Sequence, residues 1–172
     1  AYEIVDCDWS SDVCSSDLLE SIYAIQQIQE MNGEAGCHRY VISNCQSEVN
    51  VIELYALFRL CGWQENLPTI DIVPLFETIE DLNASEKIME LLYQLPLYAS
   101  HLVQRKRQQT IMLGFSDGTK DGGYLQANWG IYKAKEKLTA ISRKNNITVK
   151  FFDGDRKSTR LNSSHSQQSR MP

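Results

Sequence analysis

The apolar positions of this chain switch between two spacings along its length. Leu18, Ile22, Ile25, Ile28 and Met31 recur at helical spacing and Gly33 ends the run, which predicts a helix over 18–32. Arg39 to Ser43 (RYVIS) is short, β-branched and aromatic, as a buried strand should be. Val49, Ile52, Tyr55, Ala56 and Leu60 share one side of a predicted helix over 47–61, with Gly62 just past its end. Ile70 to Phe76 (IDIVPLF) predicts a second strand, in which Pro74 lacks a ladder donor and points to a strand end or a bulge. A helix over 83–95 closes at Pro96, and a short one runs on to about Gln104. Thr110 to Phe115 (TIMLGF) is the third predicted strand. A long helix over 123–144 follows, ending at Asn145-Asn146, and Ile147 to Phe152 (ITVKFF) is the fourth strand.

The predicted order is α-β-α-β-α-β-α-β. Strands separated by helices of this length imply an α/β fold with parallel pairing and right-handed crossovers. Four such strands fit half of a (β/α)8 barrel or a small doubly wound sheet, and periodicity does not separate the two. In either, the carboxyl ends of the strands share the face that carries chemistry. Ser43-Asn44, then Glu77, then Ser116-Asp117 and Lys120, then Asp153-Gly154 follow the four strands in turn.

The two ends differ from the middle. Residues 1–18 are a Ser/Asp/Cys mixture without helix or strand period and carry a charge of −5; residues 155–172 are rich in Ser, Gln and Arg and carry +3. The middle, 19–154, carries the remaining −3. The last segment has almost nothing to bury, so disorder is expected there. Both ends resemble translated sequencing-adapter sequence (CDWSSDVCSSDL and RKSTRLNSSHSQQSRMP) and are read as non-native tails, which removes Cys7 and Cys14 from consideration as ligands.

Composition narrows the function classes. With 17 Lys+Arg against 22 Asp+Glu, the chain lacks the basic balance of a nucleic-acid or anionic-membrane binder. The most apolar run, Tyr55 to Leu60, is short and interrupted by Arg59, so no membrane span is expected. No secretory leader is read, and five Cys without paired metal spacing suit a reduced, cytoplasmic chain.

Glu77 and Asp117 are two carboxylates expected on one rim, a donor set that suits a hard divalent cation such as Mg²⁺. The competing reading of Glu77 is a cap for the helix that follows it. Gly114 to Tyr124 (GFSDGTKDGGY) is a glycine-rich turn between a strand and a long helix, with Lys120 beside its backbone amides. It does not fit the Walker A pattern. His38 and His101 have no partner at catalytic spacing. Cys45 and Cys61 read as buried hydrophobes, Arg105 to Arg107 as a solvated turn, Lys133, Lys135, Glu136 and Lys137 as an exposed helix face, and Trp63 and Trp129 as packing residues.

Three stretches resemble the phosphoenolpyruvate carboxylase family: HRYVISNCQS (38–47), DIVPLFETIEDL (71–82) and IMLGFSDGTKDGG (111–123). The last is similar to the family's lysine signature, with Phe115 in place of Tyr and Gly118 in place of Ser. The resemblance runs from about Leu19 to Gly154. It implies a partial (β/α)8 TIM barrel from a cytosolic homotetramer. It implies the conversion of phosphoenolpyruvate and bicarbonate to oxaloacetate and phosphate with Mg²⁺, Glu77 and Asp117 as metal ligands and Lys120 as the active-site lysine. None of the three His matches the family's catalytic histidine. The fourth strand starts toward a glycine- and arginine-rich loop that Asp155-Arg156-Lys157 does not continue, so Arg156 is not read as that loop's arginine. The chain alone is therefore expected to be inactive. Two rivals remain: a truncated α/β piece without independent function, and a Mg²⁺-dependent receiver-like signalling domain. The receiver needs an acidic pair after its first strand, where this chain has Ser43-Asn44.

Overall fold

In a computed structural model the chain forms an α/β fold around a parallel sheet. The structure describes residues 3–5, 12–63, 69–114 and 116–154, with side chains described over 17–63, 69–114 and 123–154. The strands are β1 (Glu3–Val5), β2 (Arg39–Ile42), β3 (Asp71–Phe76), β4 (Gln108–Leu113) and β5 (Thr148–Asp153). The helices are α1 (Asp12–Asn32), α2 (Glu48–Leu60), α3 (Ile79–Gln94), α4 (Pro96–Gln104) and α5 (Ser116–Lys144).

The four expected strands are present, and β1 adds a fifth inside the segment expected to lack regular structure. It pairs with β2, Glu3 with Tyr40 and Val5 with Ile42, and a run of three residues is too short for a side-chain period to reveal it. Helix α1 also begins upstream of its expected start, at Asp12. The residues that open it are acidic and small, which suits a first helical turn but adds nothing to the apolar period.

Strand order is β1-β2-β3-β4-β5, every pair parallel. Among the described residues, α1 to α5 bury apolar side chains against one face of this sheet, through Tyr40, Ile42, Ile72, Phe76, Ile111 and Leu113. The opposite face carries a second cluster made of strand residues alone: Val41 beside Val73, and Leu75, Met112 and Phe152 in register across three strands. A doubly wound sheet reverses its strand order and places helices on both faces. This winding is the other kind, so the receiver-like alternative, which needs the order 2-1-3-4-5, is excluded.

Helix ends follow local chemistry. Ser47 and Asn50 close a capping box on α2, and Thr78 and Asp81 close one on α3. Pro96 opens α4, and Gly62 follows α2 with a φ of 104°. The segment expected as a glycine-rich loop is instead helical from Ser116, and α5 is interrupted at Gly123 (φ 78°, ψ 167°) before the expected long helix proceeds.

Candidate active site

The carboxyl ends of β3, β4 and β5 are tied together by backbone hydrogen bonds. The Gly114 amide donates to the Phe76 carbonyl at 2.7 Å, and the Gly154 amide donates to the Leu113 carbonyl at 2.8 Å. Glu77 directly follows β3, and the end of β4 lies hard against it. A Cβ added at Gly114 would stand 3.1 Å from Glu77 Cγ. Glu77 is not the cap of α3. That place is taken by Thr78, whose hydroxyl accepts from the Asp81 amide at 3.1 Å, while Asp81 Oδ2 accepts from the Thr78 amide at 3.0 Å. Thr78, and not Glu77, is therefore the N-cap residue of α3.

Asp117 is the second residue of α5 and Lys120 lies one turn on, so both positions are on the helix that leaves the end of β4. Their side chains, like Phe115, lie outside the described residues. Asn44 ends β2's turn in a left-handed conformation (φ 51°), which Asn tolerates. Cys45 beside it is fully buried, and burial, followed by the nearby Asp81 charge, pushes its thiol up to about 12. At neutral pH it is a protonated thiol. Among the described residues no group of three or more His, Cys, Asp or Glu comes together. Glu77 is a carboxylate on this rim, and a carboxylate suits a hard cation that keeps water and substrate oxygens, Mg²⁺ among them.

Asp153, the last residue of β5, is held at 2.7 Å by Lys135 from α5. Lys135 was expected on an exposed helix face; its side chain is 15% exposed and lies over the Phe151 ring. The RKR turn is likewise split. Arg105 is not solvated: it bonds Asp71 and Glu34, each at 2.6 Å, while Lys106 and Arg107 are exposed. Burial disfavours its charge, but those two partners outweigh it and raise its pKa. Trp63 packs on Phe58 as expected, whereas Trp129 is 60% exposed and stacks on Tyr132. His101 is buried on the helix side of the sheet, and Cys61 is buried too. Among the described residues, no helix is long and apolar enough to cross a membrane.

Comparison with known proteins gives one family. The family model described as phosphoenolpyruvate carboxylase matches residues 3–156. Phosphoenolpyruvate carboxylase of Mycobacterium leprae is 40% identical over 131 residues, 73% of this chain and 14% of that protein. The Nitrosomonas europaea enzyme of that name is 35% identical over 148 residues, 84% of this chain and 16% of that protein. The Synechococcus sp. enzyme is 33% identical over 142 residues, 80% and 14% respectively. The chain thus spans about a seventh of the length of these relatives. With the rim residues in a segment that the family match covers throughout, this chain belongs to the phosphoenolpyruvate carboxylase family of carboxy-lyases.

Proposed function

We propose that the chain forms part of the catalytic (β/α)8 barrel of a carboxylase that makes oxaloacetate and phosphate from phosphoenolpyruvate and bicarbonate, supplying the tricarboxylic acid cycle. The observation that carries this reading is Glu77 on the carboxyl rim, outside the helix cap and pressed against the strand that leads to Asp117 and Lys120. Helices on one face, strand side chains on the other and sequential strand order support a barrel over an open doubly wound sheet.

Glu77 and Asp117 would hold Mg²⁺, which supplies Lewis-acid polarisation of the substrate's phosphate and enolate oxygens. Lys120 would bring a fixed positive charge to the negative charge that spreads over the substrate as the phosphoryl group leaves. In the family's reaction, bicarbonate attacks that phosphoryl group to give carboxyphosphate and the enolate of pyruvate, and the enolate then takes up carbon dioxide. Phosphoenolpyruvate and bicarbonate are the small-molecule partners, in a cytoplasmic homotetramer without nucleic acid or membrane.

The 172-residue chain on its own is read as inactive, since His38, His101 and His165 do not match the family's histidine motif. Residues 157–172 lie beyond the family match, which supports reading the carboxyl-terminal tail as non-native. Strand β1 and a match starting at residue 3 argue that native sequence reaches upstream of residue 18.

The test is a coupled assay that follows oxaloacetate by NADH oxidation. The full-length enzyme carrying this segment is expected to turn over, and Lys120→Ala to lower kcat/KM by about a hundredfold or more. Unchanged kcat/KM in Lys120→Ala, or Lys120-dependent turnover by the 172-residue chain alone, would contradict the reading.

A further inference from the structure

We propose that Gly114 is a positioning residue for Glu77: its missing side chain lets the end of β4 lie against Glu77, and that contact sets where the carboxylate stands. The proposal rests on the reading of Glu77 as a metal ligand given above.

A Cβ on Gly114 would stand 3.0 Å from Glu77 Cα, 3.1 Å from its Cγ and 3.3 Å from its Cβ. Carbon atoms pack best at about 3.5–4.0 Å, so all three contacts are too close. The nearest atom is backbone, and no rotation of the Glu77 side chain clears it. The Glu77 backbone or the end of β4 would have to give by a few tenths of an ångström. The neighbours of Glu77 resist that movement. The Phe76 carbonyl, one residue before, accepts the Gly114 amide, and Thr78, one residue after, is locked in the α3 capping box. On the far side, a Cβ on Gly154 would meet Gly114 Cα at 3.6 Å, so the end of β5 backs the end of β4.

Backbone freedom does not explain this glycine. Gly33, Gly62 and Gly123 take a positive φ, as glycine readily does, but Gly114 lies outside that region. What the position requires is room. Displacing a metal-binding carboxylate by a few tenths of an ångström acts on the site as loss of a supporting partner does, which costs about 10–100-fold in metal affinity.

The test measures Mn²⁺ binding by electron paramagnetic resonance, with thermal melts, on the full-length enzyme carrying this segment. Gly114→Ala is expected to weaken Mn²⁺ binding about tenfold or more and to change the spectrum of the bound ion. Leu92→Ala, a core change in α3 remote from the rim, is expected to lower the melting temperature while keeping Mn²⁺ affinity within about twofold. Wild-type affinity and spectrum in Gly114→Ala, with binding lost in Glu77→Gln, would overturn the positioning role and leave the metal site standing. Wild-type binding in Glu77→Gln would overturn the metal reading and this proposal with it. Where Gly114→Ala yields no soluble enzyme, Glu77→Asp keeps the charge and withdraws the carboxylate by one carbon. Weakened binding and an altered spectrum support the premise that the position of the carboxylate sets metal affinity, and wild-type affinity overturns that premise and the proposal with it.

Discussion

His101 is 1% exposed, with its ring edge-on to Tyr55 and tilted against Tyr98. Its Nδ1 has no hydrogen-bond partner. Its pKa is lowered to about 4, first by burial and then by the Arg105 guanidinium, with Asp71 and a bond to the Ile70 backbone only partly opposing them. The native state therefore holds His101 neutral, while the unfolded chain protonates it near pH 6.5. Between those values the unfolded state binds more protons, so stability is present above about pH 6.5 and is lost as pH falls toward 4. Urea unfolding of the full-length enzyme carrying this segment is expected to show a loss of about 2 kcal/mol from this residue between pH 7 and pH 5. His101→Phe should remove that part of the pH dependence; an unchanged pH profile in the variant would contradict the assignment. The sequence showed the helix and the histidine, and neither the burial nor the partners. Arg105 was misread for the same reason: Asp71 and Glu34, which desolvate and pair it, come from segments far away in the chain.

At the scale of elements, Pro74 marks where helix and strand patterns stop being sufficient. It lies inside β3, opposite Ile42 of β2, and neither ends the strand nor falls outside it. Its consequence appears on the other side. The ladder between β3 and β4 is confined to Leu75–Met112 and Phe76–Leu113, beyond the proline. Upstream, a side chain replaces the missing backbone donor. Gln109 Nε2 donates to the Ile72 carbonyl at 3.0 Å and to the Thr110 carbonyl at 2.8 Å, and its Oε1 accepts from the Tyr98 hydroxyl at 2.8 Å. Gln109 is 2% exposed, so each of those groups loses its partner in a place water does not reach. In the full-length enzyme carrying this segment, Gln109→Leu is expected to destabilise the fold by about 2–4 kcal/mol at unchanged denaturant slope. A loss below about 0.5 kcal/mol would show that the strands repair the gap without it. The proline was legible in the sequence. The glutamine was not, because a polar residue in a strand gives no period and its acceptors belong to other strands.

For the whole molecule, the readable part is the alternation of strand and helix, which places Glu77 and the GFSDGTKDGG segment at strand ends before any coordinates. Topology came from elsewhere. Only the pairing of β1 with β2 and the gathering of every helix on one face separate a singly wound sheet from the doubly wound one that the same periodicities allow. The sheet leaves β1 and β5 as edges, and α5 exposes Leu125, Trp129 and Tyr132 along one side. Unpaired edges and exposed apolar groups favour association. The 172-residue chain in isolation is therefore expected to sediment as mixed assemblies and to melt without a sharp transition; a cooperative melt of monomer would contradict this.

On the proposed function, a divalent cation sits on this rim between Glu77 and Asp117. The most direct measurement is anomalous diffraction from crystals of the full-length enzyme soaked in Mn²⁺. A manganese peak about 2.0–2.3 Å from a carboxylate oxygen of each residue is expected. A single strong peak elsewhere in the enzyme, with none beside Glu77 and Asp117, would contradict it.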